Sequence, residues 1–254
     1  DDTRETKYYI SSIRPNILKQ HFKAFPELEK EAIFYHDCDI VFTKPINWKQ
    51  FLNDDKWYGS DCRWYISHDY IISKGEDVLD EMCRIVDIDK QIIKDNELNS
   101  IGAQYLMKGI NADFWDRVER DCERLFKEIT ELNNEKIALD RHTMSEGESR
   151  QPYHELQIWC ADMWAVLWNG WKMGKETVCH PDLEFSWATS NEEEWNRLNI
   201  FHNAGVTSVE QGLFYKAMYI NQLPYNENLT IKEGSASAKY WEMIKETAKK
   251  SVLI

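Results

Sequence analysis

Two aspartates near the start of the chain have the residue type and spacing of a metal site. Asp37 and Asp39 lie between two short apolar, β-prone runs, residues 32–35 and 40–42. Residues i and i+2 of a strand point to the same side, so both carboxylates can address one ion. Oxygen ligands of this kind suit Mg²⁺ or Mn²⁺, which keep open positions for phosphate oxygens. The competing interpretation is a strand end followed by a turn that two aspartates cap.

His202, in the sequence Phe-His-Asn-Ala-Gly, is the candidate third ligand. A neutral imidazole is a good ligand for a metal that carboxylates already hold, although an isolated histidine is more often a hydrogen-bonded structural residue. Gly205 would let the backbone approach a diphosphate closely. We therefore predict a metal site of Asp37, Asp39 and His202, with Gly205 among the cofactor-binding residues.

A second group of candidates lies in the sequence Ile-Gly-Ala-Gln-Tyr that begins at residue 101. Gly102 and Ala103 leave room for a ligand, and Gln104 can hydrogen-bond a sugar hydroxyl. A tight turn entering a core strand explains the glycine and the alanine equally well, but not the glutamine. Gly102 and Gln104 are therefore predicted to contact a bound cofactor. Gln104 is also a candidate catalytic residue.

If the site transfers a group to the hydroxyl of an acceptor molecule, it needs a general base. That base must be a carboxylate or a histidine within reach of the hydroxyl. Asp162 is the first candidate because it stands among apolar residues of a predicted helix, where an unpaired acid is costly. Glu155 and His154 come next. An ion pair explains Asp162 nearly as well. Lys216 supplies positive charge that could meet a diphosphate.

Composition limits the classes of function. The formal net charge of −13 argues against a nucleic-acid surface, and 43% hydrophobic residues support a real core. No run of residues is long and apolar enough to span a membrane. The six cysteines form no Cys-x-x-Cys pair, which favours a reduced, cytoplasmic protein over a secreted one with three disulfides. The 11 Trp and 12 Tyr include rings suited to stacking on sugars, although packing explains most of them.

The hydrophobic pattern predicts the elements that must position these residues. The central element is a strand formed by the two apolar runs of residues 32–42 and buried on both faces. Other strands are expected at Lys7–Ser12, Trp57–Asp61, Tyr65–Ile72 and Pro181–Trp187. Helices are expected after Arg14-Pro15 and at Glu76–Val86, Ala112–Leu132, Gln157–Trp168 and Ala236–Lys250. The polar segment Asn133–Pro152 is expected to be a loop.

The order of these motifs resembles that of nucleotide-sugar glycosyltransferases of the GT-A type. Asp37-Cys-Asp39 is similar to their Asp-x-Asp. His202-x-x-Gly205 resembles the His-x-x-Gly of glycogenin-like and lipooligosaccharide galactosyltransferases, where the histidine completes the metal site. Those families usually continue with Lys-Pro-Trp. This chain has Val-Thr-Ser-Val instead, so Lys216 is the substitute candidate for binding the diphosphate.

The resemblance implies an α/β, Rossmann-like GT-A fold with a mixed, mostly parallel central sheet flanked by helices. One such domain is expected over residues 1–224, with a base-binding half that is shortened or lies before this chain. A polar tail and helix over residues 225–254 are expected to pack on it. The implied activity is transfer of a hexose from a nucleotide-diphosphate sugar, such as a UDP-sugar, to a carbohydrate or other hydroxyl acceptor, with Mn²⁺ or Mg²⁺.

Two other interpretations stay open. The same acids suit a nucleotidyltransferase or a phosphohydrolase, although these enzymes usually need a third carboxylate and a Gly-rich or basic phosphate loop. The chain is alternatively a non-catalytic carbohydrate-binding relative of such an enzyme, or a fragment of one.

Overall fold

The computed structural model describes residues 1–143 and 152–251, and the chain forms two compact units. Unit 1 comprises Asp1–Tyr35 and Lys49–Cys179, and unit 2 comprises His36–Trp48 and His180–Ile254. The division does not coincide with the predicted boundary at residue 224. The C-terminal helix and the segment that carries the Asp-x-Asp motif belong to the same unit.

Unit 1 is a mixed α/β structure. With elements numbered along the whole chain, its helices are α1 (Ile13–Ala24), α2 (Arg63–Ile66), α3 (His68–Ile72), α4 (Glu76–Val86), α5 (Lys90–Asp95), α6 (Ala112–Thr143) and α7 (Ala161–Lys172). Its strands are β1 (Ala32–Tyr35), β3 (Trp57–Asp61), β4 (Ile101–Lys108) and β5 (Thr177–Cys179). They form one sheet in the order β1-β4-β3-β5, in which β3 and β5 are parallel and the other pairs antiparallel.

The long helix α6 packs against α1, α4 and α7. It begins where the side chain of Asn111 accepts a hydrogen bond from the Phe114 amide at 3.0 Å, which satisfies a free donor of the first turn. The apolar residues of one face recur at helical spacing and are fully buried. They are Phe114, Trp115, Val118, Cys122, Leu125 and Ile129. This face therefore forms a large part of the core of unit 1.

Unit 2 is smaller. It contains β2 (Ile40–Phe42), β6 (Phe185–Trp187), β7 (Ile200–His202), α8 (Glu192–Arg197) and α9 (Ala236–Ser251). The strand order is β2-β7-β6, with β2 antiparallel and β6 parallel to β7. The centre of its core is Ala188, Phe201 and Ala236, all fully buried. Because β2 comes from the first part of the chain, its pairing with β7 closes a loop of about 160 residues.

Several predicted elements are confirmed. Trp57–Asp61 is a strand, Glu76–Val86 is a helix, and the C-terminal helix extends from Ala236 to Ser251. The helix predicted at Ala112–Leu132 continues to Thr143, through half of the predicted loop. Residues 144–151, the rest of that loop before Pro152, lie outside the described residues.

Other predicted elements are wrong. The Lys7–Ser12 strand is replaced by a 3-10 turn at Ile10–Ser12. The strand predicted at Tyr65–Ile72 is instead helical and falls in α2 and α3. Ser67 separates the two helices and caps α3, since its hydroxyl accepts a hydrogen bond from the Tyr70 amide at 3.3 Å.

The predicted central strand is two strands. Residues 32–35 and 40–42 join different sheets, β1 in unit 1 and β2 in unit 2, and neither strand is buried on both faces. The polar residues between the two runs form a turn that separates them. The sheets are mixed, and antiparallel pairs outnumber parallel ones among the described strands. The predicted mixed α/β class is confirmed, whereas the described strands do not form a mostly parallel sheet.

Among the described helices, none combines the length and the apolar character needed to cross a membrane. All six cysteines are free thiols.

Candidate metal centre

Strand pairing within unit 2 brings the three predicted metal ligands together. Ile40 of β2 lies directly opposite His202 of β7. One residue further, the Asn203 amide donates to the carbonyl of Asp39 at 2.9 Å. The backbone hydrogen bonds that align the two strands therefore also place the His202 side chain beside the Asp-x-Asp turn.

The three side chains converge on one point. The Nε2 atom of His202 lies 3.3 Å from Oδ2 of Asp37 and 3.4 Å from Oδ1 of Asp39. Ligand atoms in neighbouring positions around an octahedral Mg²⁺-sized ion, about 2.1 Å away, lie about 3 Å apart. Both separations from the imidazole are close to this value, and all three ligand atoms lie within 4.8 Å of one another, so they could share one divalent cation.

The triad is partly exposed. The His202 side chain is buried, whereas those of Asp39 and Asp37 are 19% and 30% exposed. A cation held by these residues would therefore keep a side that ligands from solution can reach. Such an open side distinguishes metal sites that bind substrate from closed structural sites.

Lys216 lies at the same site, and its ammonium group donates to Oδ2 of Asp39. Burial alone would raise the pKa of Asp39, but the hydrogen bonds from His202 and Lys216 outweigh it and lower the pKa to about 2. Burial alone would lower the pKa of His202, and the two carboxylates reverse this and raise it. Asp39 is therefore ionised at neutral pH, as a metal ligand must be.

Hydrogen bonds to the two carboxylates hold the Nε2 side of the imidazole, and packing alone holds its Nδ1 side. The Nδ1 atom of His202 is buried and has no hydrogen-bond partner among the described residues. The rings of Phe185 and Trp187 lie 5.4 Å and 6.1 Å from the imidazole, and Trp187 is stacked on it. Sequence reasoning missed both rings. Their i, i+2 spacing on β6, which pairs with β7, is the signal that places them on one face with His202.

Gly205 has a positive φ of 86°, a backbone conformation that favours glycine. A β-carbon there would make ordinary contacts with Thr189 and Trp187 at 3.5 Å. The turn geometry therefore explains the glycine, and its contact with a diphosphate stays a prediction.

Gly102 and Gln104 belong to β4 of unit 1, not to the unit that holds the triad. The space beside Gly102 is filled by Met163 and Cys62, whose atoms would lie 2.3 Å and 3.0 Å from an added β-carbon. The room expected there for a ligand is thus occupied by protein. Gln104 is fully buried and accepts a hydrogen bond from Ser60 at 2.5 Å. Its Nε2 atom has no partner among the described residues.

Asp162 is an ion-paired carboxylate of unit 1. Arg14 donates to its Oδ2 atom, and the Tyr9 hydroxyl donates to Oδ1 at 2.7 Å. The ion pair that the sequence left open is therefore present, and a role of Asp162 as general base stays a prediction. Glu155 and His154 are both exposed.

A second group of potential metal ligands was not anticipated. His68, Asp69 and Glu97 of unit 1 also present ligand atoms within 4.8 Å of one another. The Asp69 side chain is 80% exposed. Exposed acidic groups of this kind are common without a metal, so the buried imidazole and the less exposed carboxylates favour the triad in unit 2.

Comparison of the chain with protein-family models, with curated proteins and with solved structures finds no match.

Proposed function

We propose that the protein is a metal-dependent glycosyltransferase that moves a hexose from a nucleotide-diphosphate sugar, such as a UDP-sugar, to a hydroxyl acceptor. The observation that carries the proposal is the convergence of Asp37, Asp39 and His202 on one point. The order of the sequence motifs, which resembles that of GT-A enzymes, supports it.

The donor set fits a small divalent cation. Two carboxylate oxygens and one imidazole nitrogen suit Mn²⁺ and, less well, Mg²⁺, which prefers oxygen alone. When bound, such a cation supplies positive charge that stabilises a diphosphate leaving group. Asp37, Asp39 and His202 would hold the cation, and the partly exposed carboxylates would leave it accessible to the donor.

Two further residues of unit 2 have suitable positions for the donor. The Lys216 side chain is half exposed while its ammonium contacts Asp39, so it can exchange that contact for one with a phosphate oxygen. The half-buried indole of Trp187, stacked on the imidazole, forms a flat wall beside the triad. The roles of Asp162, Glu155 and Gln104 in the acceptor step stay predictions.

Direct metal binding provides the first test. The chelator-treated protein is titrated with Mn²⁺ by calorimetry, together with Asp39→Ala and a control variant, Asp69→Asn, from the exposed cluster in unit 1. We expect Asp39→Ala to weaken binding at least about 100-fold, because it removes a direct ligand, and Asp69→Asn to leave it unchanged. Unchanged binding to Asp39→Ala would refute the metal site.

Product analysis provides the second test. The protein is incubated with Mn²⁺ and a panel of UDP-hexoses, with and without oligosaccharide acceptors, and the nucleotide products are separated. Release of UDP that depends on Asp39 supports a glycosyltransferase. Release of UMP would instead indicate a nucleotidyltransferase or a phosphohydrolase. No binding of UDP, with or without Mn²⁺, would indicate a non-catalytic relative or a fragment.

A further inference from the structure

Unit 1 exposes two tryptophans although it has a large aromatic core. Trp64 is 67% exposed and Trp159 is 54% exposed, whereas Trp57, Trp115, Trp164 and Trp168 are fully buried. Exposing a large apolar ring to water is unfavourable. The two exposed rings therefore need an explanation other than filling the core.

Both exposed rings contact the same buried residue. Tyr65 is only 3% exposed. The Trp64 ring meets it edge to face with centroids 4.5 Å apart, and the Trp159 ring stacks on it at 6.0 Å. The three rings form one group, which we call the aromatic face.

The backbone beneath the aromatic face is fixed by buried hydrogen bonds. The indole of Trp164 donates to the carbonyl of Ile66 at 2.9 Å, which ties α2 to α7. The hydroxyl of Tyr65 donates to the sulfur of Cys62 at 2.9 Å. Rings that are already held in place lose little conformational entropy when a ligand binds, so the aromatic face is preorganised.

Paired charges flank the rings. Arg63, next to Trp64, makes a bidentate contact with Asp61 at 2.6–3.1 Å, and both side chains are partly exposed. The Tyr9 hydroxyl, which has a single proton to donate, lies within hydrogen-bond distance of the Trp159 carbonyl, at 2.5 Å, and of Oδ1 of Asp162, at 2.7 Å. Asp162 is the partner of Arg14. The Arg63–Asp61 pair is partly exposed and offers donors and acceptors, whereas in the second pair only Arg14 is partly exposed and Asp162 is buried. Each pair carries little net charge.

Flat apolar rings beside neutralised polar groups suit a ligand that has apolar C–H faces and hydroxyl edges. Pyranose rings have this chemistry, since their C–H bonds meet the negative face of an indole and their hydroxyls bond to the flanking pairs. An anionic ligand fits less well because both arginines already have carboxylate partners.

We infer that Trp64 and Trp159, supported by the buried Tyr65, form a binding face for a neutral carbohydrate, with the Arg63–Asp61 pair and the partly exposed Arg14 as its polar edges. All of these residues belong to unit 1. The inference goes beyond the proposed transfer reaction and holds whether or not unit 2 binds a metal.

The test measures carbohydrate binding by the full chain in chelator, so that the metal site plays no part. An array of neutral hexose and N-acetylhexosamine oligosaccharides is screened first. The best probe is then followed by saturation-transfer NMR and calorimetry with Trp64→Ala and Trp159→Ala. We expect each variant to weaken binding about tenfold or more, and the saturation to be strongest at ring C–H protons.

The control variant is Phe25→Ala, which removes a partly exposed ring (47% exposed) of unit 1. Phe25 follows the C-terminal end of α1, whereas Arg14 lies near its start, roughly 16 Å away along the helix. It should bind like the unchanged protein, and thermal melts should show all three variants folded. Two results would overturn the inference: no binding to any oligosaccharide of the array, or concentration-dependent self-association that Trp64→Ala abolishes.

Discussion

Asp39 uses its two carboxylate oxygens for different partners. Oδ1 faces the imidazole of His202, and Oδ2 accepts from the ammonium of Lys216. A cation placed between the triad atoms would bind Oδ1 and leave the lysine on Oδ2. Lys216 would therefore act on a bound metal only through charge, whereas it could contact a phosphate oxygen of the proposed donor directly.

Replacement of Lys216 by Met separates these two effects. We expect Lys216→Met to raise the affinity for Mn²⁺ alone by about threefold, because a neighbouring positive charge is removed. The affinity for UDP in the presence of Mn²⁺ should fall by about tenfold, because a charged contact to phosphate is lost. Calorimetric titrations with Mn²⁺ and then UDP measure both. Parallel changes in the two affinities would contradict the assignment, and Lys232→Met, an exposed lysine of the same unit, is the control.

Asp121 of α6 shows how a partly buried carboxyl affects stability. Burial raises the pKa of Asp121, and the hydrogen bond from Asn169 at 2.8 Å opposes this only in part. In the unfolded chain the pKa is the ordinary one, about 3.9. The folded state therefore holds this proton more tightly. The stabilising contribution of the Asp121 carboxyl to the free energy of unfolding is therefore greatest below its ordinary pKa in the unfolded chain. It decreases as pH rises through the raised pKa of the folded state.

We therefore expect Asp121→Asn to raise the free energy of unfolding at pH 7 and to have little effect below about pH 4, where the carboxyl is protonated. Urea titrations of both proteins across this pH range measure the difference. Asp87→Asn, whose side chain is 98% exposed, should change stability by no more than about 0.5 kcal/mol at either pH. A gain from Asp121→Asn that is the same at all pH values would contradict this origin.

At the scale of elements, α7 packs closely against the sheet of unit 1 at Gly170. A β-carbon at Gly170 would lie 2.5–3.1 Å from the ring of Trp57, which is fully buried and anchored by a hydrogen bond from its indole to the Lys108 carbonyl at 2.9 Å. A rigid ring in a close-packed core cannot move aside easily. Glycine is therefore required at this point although it is a poor helix former.

We predict that Gly170→Ala lowers the free energy of unfolding by about 1–3 kcal/mol, because overpacking outweighs the gain in helix propensity. Asn134→Ala, at an exposed position of α6, makes a comparable change without a clash and should raise stability by a few tenths of a kcal/mol. Chemical denaturation at one pH compares the variants. A stabilising Gly170→Ala would show that the helix and the sheet are less tightly packed than described.

The sequence predicted elements well where one strong periodicity extends over several turns. Glu76–Val86 is the clearest case, since Val78, Leu79, Met82 and Val86 are all buried on one face. Tyr65–Ile72 was predicted wrongly because its buried residues, Tyr65, Ile66 and Ile71, follow neither a clean alternation nor one helical face. Short helices split by a serine cap depend on tertiary packing that a local pattern does not contain.

The candidate metal ligands were predicted from local spacing and chemistry, but their environment was not. The pairing of Ile40 with His202, about 160 residues apart, is non-local, and nothing in either segment specifies the other. The same limitation explains the expected room at Gly102, which Met163 and Cys62 fill from distant parts of the chain. Residue type indicated the chemistry, and only long-range packing could show which side chains meet.

At the scale of the whole chain, unit 2 is assembled from two distant segments, and the proposed metal connects them. Asp37 and Asp39 come from the first segment and His202 from the second. A ligand that binds only the folded state stabilises it by mass action. Binding of Mn²⁺ should therefore oppose any opening of unit 2 that separates β2 from β7.

Hydrogen exchange can test this expectation. At an Mn²⁺ concentration 100 times the dissociation constant, the stabilisation is about 2.7 kcal/mol. Amides of β2 and β7 that exchange only through this opening should then exchange about 100-fold more slowly. Exchange is followed by mass spectrometry of peptides from residues 36–48 and 198–206, with and without Mn²⁺. The His202→Ala variant, which lacks the ligand from the second segment, should lose the protection in both peptides. Equal protection of peptides throughout the described chain, or protection that persists in His202→Ala, would show that Mn²⁺ does not bridge the two segments.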